Sequence, residues 1–332
     1  MRILVLGGTA WLGGEVAAQA VAAGHRVTAL ARGRAGEVPA GVSLVRADRS
    51  TPGAYDALGG ADWDAVVDVA RQPSHVRGAL AALADRARSW VFVSSASVYA
   101  SHDDPGADES APLLDPSPED DEGWETYGAR KVACEQAVLG AIPDRALVAR
   151  AGLVAGPGDH TDRTGYWPLR FAHPATADGA VLVPDSPIDT QVIDVRDLAA
   201  WLLHCAEVAA VGVANAAGSV VPLPDHLRTA RQVTGHDGEL VGVSQDWLAE
   251  HEVAPWSGER SLPLWLPLPE YAGMMSRSTA AAESLGLRAR PLAQTLEDTL
   301  AWELAQGPGR PRRAGLAPAD EVALVDLARA VG

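Results

Sequence analysis

The sequence is short of cysteine, of phenylalanine and of positive charge. Two cysteines in 332 residues, Cys134 and Cys205, supply neither a disulfide framework nor a metal quartet. Lys and Arg number 27 against 43 Asp and Glu, a formal net charge of −16. A phosphate backbone would be repelled over most of such a surface, and no basic stripe with interleaved aromatics offsets this, so no nucleic-acid partner is expected. No apolar run is long enough to span a bilayer, and the first 24 residues pattern as strand, turn and helix rather than as a leader. The expectation is a soluble cytoplasmic protein without a membrane partner. Only two Phe accompany ten Trp, so tryptophan carries the aromatic packing. No internal repeat is visible, and the tight Asp159-His160-Thr-Asp162 loop reads as polar rather than metal-binding.

What is present is concentrated at the beginning, Arg2-Ile-Leu-Val-Leu-Gly-Gly-Thr-Ala-Trp-Leu-Gly-Gly14. An apolar run stops at two glycines, and helical spacing opens at about Ala10 and continues to Gly24. Strand, tight turn and helix form the context in which a glycine-rich loop holds a dinucleotide. The turn glycines allow backbone geometry closed to side chains, and the first helical N–H groups favour a phosphate. The loop reads Gly7-x-x-Ala10-x-x-Gly13, with Ala10 where the three-glycine form has its middle glycine. Gly7, Thr9, Ala10, Trp11, Leu12 and Gly13 are the expected cofactor contacts, and the Trp11-Leu12 backbone donors should lie nearest the pyrophosphate.

Strand patterns at 27–31, 42–46, 65–69, 90–93 and 146–149 alternate with helical stretches, among them 75–88 and 125–141. Such alternation implies an α/β fold: a Rossmann-type doubly wound parallel sheet with the ligand along the carboxyl ends of its strands. Residues 1–150 form the expected dinucleotide-binding domain, with later returns such as 190–215. Residues 151–306 form a smaller C-terminal α/β substrate lobe. Its helices are expected at 195–207, 224–234, 245–250, 279–285 and 292–304, and its short strands at 180–183, 192–193, 213–215 and 240–243. Residues 307–313 read as a linker and 318–331 as a terminal helix. The tract 101–123 is acidic, Pro-rich and aperiodic, the signature of a long surface loop.

Tyr127-Gly-Ala-Arg-Lys131 opens a helical stretch, and a spacing of four puts both side chains on one face. An ammonium near a phenol favours the phenolate, which suits proton transfer to or from a carbonyl or alcohol oxygen. Upstream, Trp90-Val-Phe-Val-Ser-Ser-Ala-Ser-Val-Tyr99 ends a strand in a run of hydroxyls. Glycine loop, serine-rich strand end and Tyr-x-x-x-Lys occur in the order of one family. The sequence resembles the extended short-chain dehydrogenase/reductase superfamily, in its epimerase/dehydratase-like branch.

That resemblance implies roles residue by residue. Tyr127 would be the acid/base and Lys131 would hold the nicotinamide ribose. In the pattern Ser-Ser-x-x-Val-Tyr the catalytic hydroxyl is Ser95, with Ser94 and Ser97 as neighbours. Ser94 is counted with the cofactor and Ser97 with the substrate. Asp48 matches an Asp that meets the adenine amino group, and Ala70 falls in a turn beside the cofactor. The second strand ends at Ala31 and is followed by Arg32-Gly-Arg34, with no carboxylate to bind two ribose hydroxyls. Guanidiniums there suit a 2′-phosphate, so NADP(H) is favoured over NAD(H). Leu153 stands where nucleotide-sugar enzymes of the family carry Asn. Expected substrate-side residues are His75, Ser97, Leu153, Tyr166, Trp167 and Gln191, with Arg170 at the pocket mouth. Trp256, Trp265 and Tyr271 form either an aromatic wall or a rigid packed lobe. The implied activity is NAD(P)-dependent reduction or oxidation of a carbonyl/alcohol pair in a small or sugar-like molecule. A sugar epimerase is the alternative, although the Asp-Glu pair of dehydratases is missing beside Ser95. A non-catalytic dinucleotide sensor is the third reading. Members often dimerise through helices equivalent to 75–88 and 125–141, so a homodimer is expected.

Overall fold

The structure is a computed structural model describing residues 1–120 and 123–331, so two residues of the acidic tract lie outside the described residues. The strands of the first half are β1 (Arg2–Leu6), β2 (Arg26–Ala31), β3 (Ser43–Arg46), β4 (Ala65–Asp68), β5 (Trp90–Ser95) and β6 (Ala146–Ala151). Those of the second half are β7 (Leu153–Ala155), β8 (Val181–Pro184), β9 (Asp189–Asp194), β10 (Gly212–Ala216), β11 (Val220–Pro222), β12 (Leu240–Val243), β13 (Ala254–Pro255) and β14 (Ser261–Leu262). The longer helices are α1 (Trp11–Ala22), α2 (Pro73–Leu83), α3 (Tyr127–Ala141), α4 (Tyr166–Ala172), α5 (Val195–Glu207) and α6 (Leu223–Thr234). They are followed by α7 (Gln245–Glu250), α8 (Ala280–Ser284), α9 (Leu292–Gln306) and α10 (Pro318–Val331).

Seven parallel strands form the main sheet in the order β10-β6-β5-β4-β1-β2-β3. Helices cover both faces, which is why the central strands are apolar on both sides over most of their length. Ile3, Val5, Val91 and Val93 pack under α1 and α5, whereas Leu4, Leu6, Trp90 and Phe92 pack under α2 and α3. Strand order reverses at β1, between β4 and β2, so the ligand crevice opens at the carboxyl ends of β1, β4 and β5. β10 lies at the edge of this sheet, beside β6.

The other strands make a three-stranded sheet β11-β9-β7 and the pairs β12-β8 and β13-β14. They surround a second core built on Tyr166, Trp167, Phe171, Leu182 and Leu227. The stretch expected as a linker is a clamp. Arg310 and Arg312 pair at 2.9 and 2.7 Å with the carboxylate of Glu303, which is fully buried. Arg310 also pairs with Asp162, and the Arg313 N–H donates to the same carboxylate. These basic residues are held because buried carboxylates from α9 and the 156–165 loop need counter-charge. The helix α10 is anchored by buried Glu321, which accepts the Leu182 N–H and lies 2.7 Å from Arg170 Nε. Leu324 and Val325 complete the second core.

Candidate active site

The glycine loop is shaped by contacts that leave no room for side chains. Gly7 has φ +100°, and a Cβ on it would meet Val69 at 2.6 Å. A Cβ on Gly13 would sit 2.4 Å from the Gly7 carbonyl oxygen, so α1 rests directly on the turn. Ala10 is the N-cap, extended at φ −83° and ψ 161°, and makes no side-chain cap. The Trp11 and Leu12 N–H groups stand in the first turn, where no helical carbonyl can reach them. A Cβ at either loop glycine would force the turn off Val69 or α1 off the turn, and the free first-turn donors suit an anion. On these grounds the loop fits a dinucleotide pyrophosphate. The Trp11 side chain adds what the motif did not foretell. Its Nε1 donates to the Pro157 carbonyl at 2.8 Å, and its ring meets His160 edge-on at 5.7 Å. The cofactor loop is thereby tied to the 156–165 loop.

At the edge of the crevice, Arg32, Arg34 and Arg46 are exposed and, among the described residues, make no ion pair. Arg46 is brought there by parallel pairing of β2 with β3, in which Ala31 lies opposite Arg46. Its guanidinium passes 3.7 Å from the position of a Cβ on Gly33. The Asp48 carboxylate accepts the Ser50 N–H and hydroxyl. Those bonds, with Arg32 and Arg34 nearby, hold it below the usual carboxylate range.

At β4, Arg49 grips the buried Asp68 carboxylate with two N–H groups, at 2.8 and 2.9 Å. Asp68 also accepts the Ala70 N–H, which fixes the turn beside the cradle. The Ala70 carbonyl in turn accepts Lys131 Nζ at 2.6 Å. Lys131 is buried, donates equally closely to the Val93 carbonyl, and lies 4.8 Å from the Phe92 ring centre. An ammonium has three donors, so one remains for a ligand hydroxyl.

Ser95 ends β5. Its Oγ accepts the Ser97 N–H at 3.1 Å and lies 3.1 Å from Ser97 Oγ, which shapes the one-turn helix Ala96–Val98. α3 starts against that turn. Gly128 is seated on it so tightly that a Cβ would fall 2.1 Å from the Ser97 carbonyl oxygen. Tyr127, the residue before, is therefore carried to the serine turn. Its ring lies 5.6 Å from that of Trp124, which is 76% exposed. Arg130 reaches from the same helical turn to Gln72 and to the Gly123 carbonyl, drawing the end of the acidic tract onto α3.

Several expected residues stand elsewhere. Ser94 alternates to the opposite face of β5 and donates to Glu135 at 2.5 Å. Glu135 is held by Arg150, which also donates to Tyr99. This is a buried network behind the strand, not a cofactor contact. Tyr166, Trp167 and Leu153 are core residues of the second lobe, because α4 turns its aromatic face inward. Trp167 Nε1 is satisfied by the Pro263 carbonyl. Arg170 serves Glu321 and the Leu316 carbonyl rather than a pocket mouth. Gln191 is buried with both ends of its amide on the backbone of Arg277, at 2.8 and 3.0 Å, so it joins two segments instead of facing a ligand. His75 lies among Arg49, Asp120, Asp68 and Asp48, and its imidazole is held low by burial and by Arg49. Of the two readings of the aromatic set, the packed lobe holds, since all three residues lie in or against the second core. Trp265 is core, Tyr271 stacks on His102, and Trp256 lies under Arg163. Among the described residues no group of three His, Cys, Asp or Glu could hold a metal; Asp159 is engaged by Thr161 and Thr164.

No protein-family model matches the chain. A curated relative, 2'-dehydrokanamycin reductase from Streptomyces kanamyceticus, is 29% identical over 75% of this chain and 71% of its own length. Among solved structures, a UDP-glucose 4-epimerase superposes with a TM-score of 0.68 at 17% identity, over 94% of this chain and 100% of that one. The UDP-glucuronic acid 4-epimerase of Bacillus cereus, in complex with NAD, gives 0.66 at 15% identity over 92% and 100%. The chain shares the fold of these two epimerases, a Rossmann-type parallel sheet with a smaller second lobe.

Proposed function

We propose that the protein is an NAD(P)-dependent oxidoreductase that reduces or oxidises a carbonyl/alcohol pair in a small or sugar-like molecule, with NADP(H) favoured. The observation that supports this reading is the seating of Gly128, next to Tyr127, on the Ser97 carbonyl of the turn that Ser95 caps. The 29% identical reductase supports it. The dinucleotide, held by the Gly7–Gly13 loop, would supply or accept the hydride. Tyr127 would move a proton at the substrate oxygen, and Ser95 Oγ would hold that oxygen by a hydrogen bond. Lys131, fixed through Ala70 and Val93, would place its remaining donor on the nicotinamide ribose. The Arg32, Arg34 and Arg46 guanidiniums would meet the 2′-phosphate that distinguishes NADP.

The deciding experiment is Tyr127→Phe. The variant should bind NADPH as the wild type does and turn over less than about one part in a hundred. Retained turnover overturns the assignment. A second reading, sugar epimerisation, has the epimerase folds in its favour; tightly copurifying NAD with no net cofactor consumption would establish it.

A further inference from the structure

One cation of the crevice has no role in the reaction described so far. Arg163 lies in the 156–165 loop, half-buried, with its guanidinium 4.6 Å above the Trp256 ring centre. Its Nε donates to Thr161 Oγ1 at 3.1 Å, which leaves its two terminal NH₂ groups without a hydrogen-bond partner among the described residues. It makes no ion pair there either. Asp159 and Tyr127 are the ionisable groups whose fields reach it. Asp159 makes no ion pair with it, and both its carboxylate oxygens already accept N–H and hydroxyl bonds from Thr161 and Thr164.

The loop that carries Arg163 is rigid. Asp162 has φ +63° and is held by Arg310 and the Arg313 N–H, while Trp11 pins Pro157. Arg163 is therefore presented in a fixed pose. A guanidinium partly removed from water and held in no ion pair is costly, and burial holds this one below its ordinary value although the Asp159 field opposes it. His160, not Arg163, faces Trp11 at the pyrophosphate end of the crevice. Arg163 lies over Trp256 instead, and the Tyr127 phenol is close enough for its field to reach the guanidinium.

We propose that Arg163 is the anion-recognition residue of this site, and that the substrate carries a carboxylate or phosphate within reach of the carbon on which Tyr127 acts. This rests on the oxidoreductase reading given above. The planar fork of the guanidinium suits the paired oxygens of either group, and the Trp256 face below it restricts approach to the edge.

The test is calorimetric titration of NADPH-saturated protein with three probes: glucuronate for the carboxylate, glucose 6-phosphate for the phosphate and glucose as the neutral control. The wild type should bind at least one anionic sugar about tenfold or more tightly than glucose. Whichever anion gains most identifies the group. Arg163→Gln should erase the difference while leaving NADPH affinity within about twofold, and Arg163→Lys should restore part of it. Equal binding of charged and neutral probes, or no binding of either anion at millimolar concentration, overturns the proposal. A loss of NADPH affinity in Arg163→Gln also overturns it, because the guanidinium would then serve the cofactor. Failure of the wild type to bind any dinucleotide would instead defeat the oxidoreductase reading, so the two failures are distinguishable.

Discussion

Gly128→Ala tests the placement of Tyr127 without touching any group that does chemistry. In an ordinary helix this change stabilises by about 1 kcal/mol, since alanine is the better helix former. Here the sign reverses. The new Cβ would lie 2.1 Å from the Ser97 carbonyl oxygen and 2.7 Å from Leu114 Cδ1. The Leu114 side chain can swing aside, but the Ser97 carbonyl is backbone. Ordinary contact begins at 3.4 Å, so helix and turn must separate by about 1.3 Å, the difference from 2.1 Å. Overpacking of this kind costs ~1–3 kcal/mol. The same displacement moves Tyr127 away from the Ser95 turn, and about 1 Å of misplacement costs on the order of a hundredfold in rate. Thermal melting should show a loss of stability. NADPH affinity should fall far less than turnover, because the glycine loop lies on β1 and α1 and only the Lys131 contact moves with α3. NADPH oxidation over a panel of aldehydes and ketones should collapse. A variant that melts higher than wild type and keeps its turnover would refute the contact and the placement argued from it.

Three further outcomes follow from other parts of the molecule. Replacing Arg32 and Arg46 together by Ala should weaken NADPH binding by on the order of tenfold while NADH binding stays within about twofold; an equal loss for both cofactors would show that these guanidiniums do not meet the 2′-phosphate. His226 is buried, and burial holds its imidazole down to about 4 from an ordinary 6.5. The fold thus favours the neutral ring, so this group's contribution is complete above pH 6.5 and is lost as pH falls towards 4, by up to about 3 kcal/mol. Melting curves from pH 7.5 to 4.5 should show a shallower acid limb in His226→Gln, and a limb identical to wild type would remove His226 as its cause. Glu321→Ala should destabilise by ~3–5 kcal/mol in chemical denaturation, because it leaves Arg170 in the second core without counter-charge. A neutral result would mean that α10 is not anchored through this pair.

The sequence by itself determined what depends on local period. Apolar runs broken by glycine and proline, alternating with helical spacing, specify the parallel sheet and its helices. The bounds of α5, α7 and α10 fall where the spacing puts them. The four-residue step from Tyr127 to Lys131 places both on one side of α3 before any tertiary contact is known. The end of β2 was also readable, and Arg46 was within reach of the same reading, since a parallel neighbour of β2 must end beside it.

Tertiary structure alone decided which side chains meet. Ser94 and Ser95 are adjacent in sequence, yet strand alternation sends one to Glu135 and leaves the other at the turn. Tyr166, Trp167 and Gln191 looked like ligand groups because aromatic and amide side chains suit both cores and sites. Burial and long-range partners assigned them to structure. Trp11 meets Pro157 and Lys131 meets Ala70 across separations that no local pattern records. Arg163 carried no signal in its own neighbourhood, where it stands among Asp159, Asp162 and Thr161 like any paired surface arginine. Only the folded loop shows those carboxylates already taken and a guanidinium left over. Spacing along the chain constrains the backbone within one element. A site is made by the complementarity of groups brought together from several, and that exists only once the chain has folded.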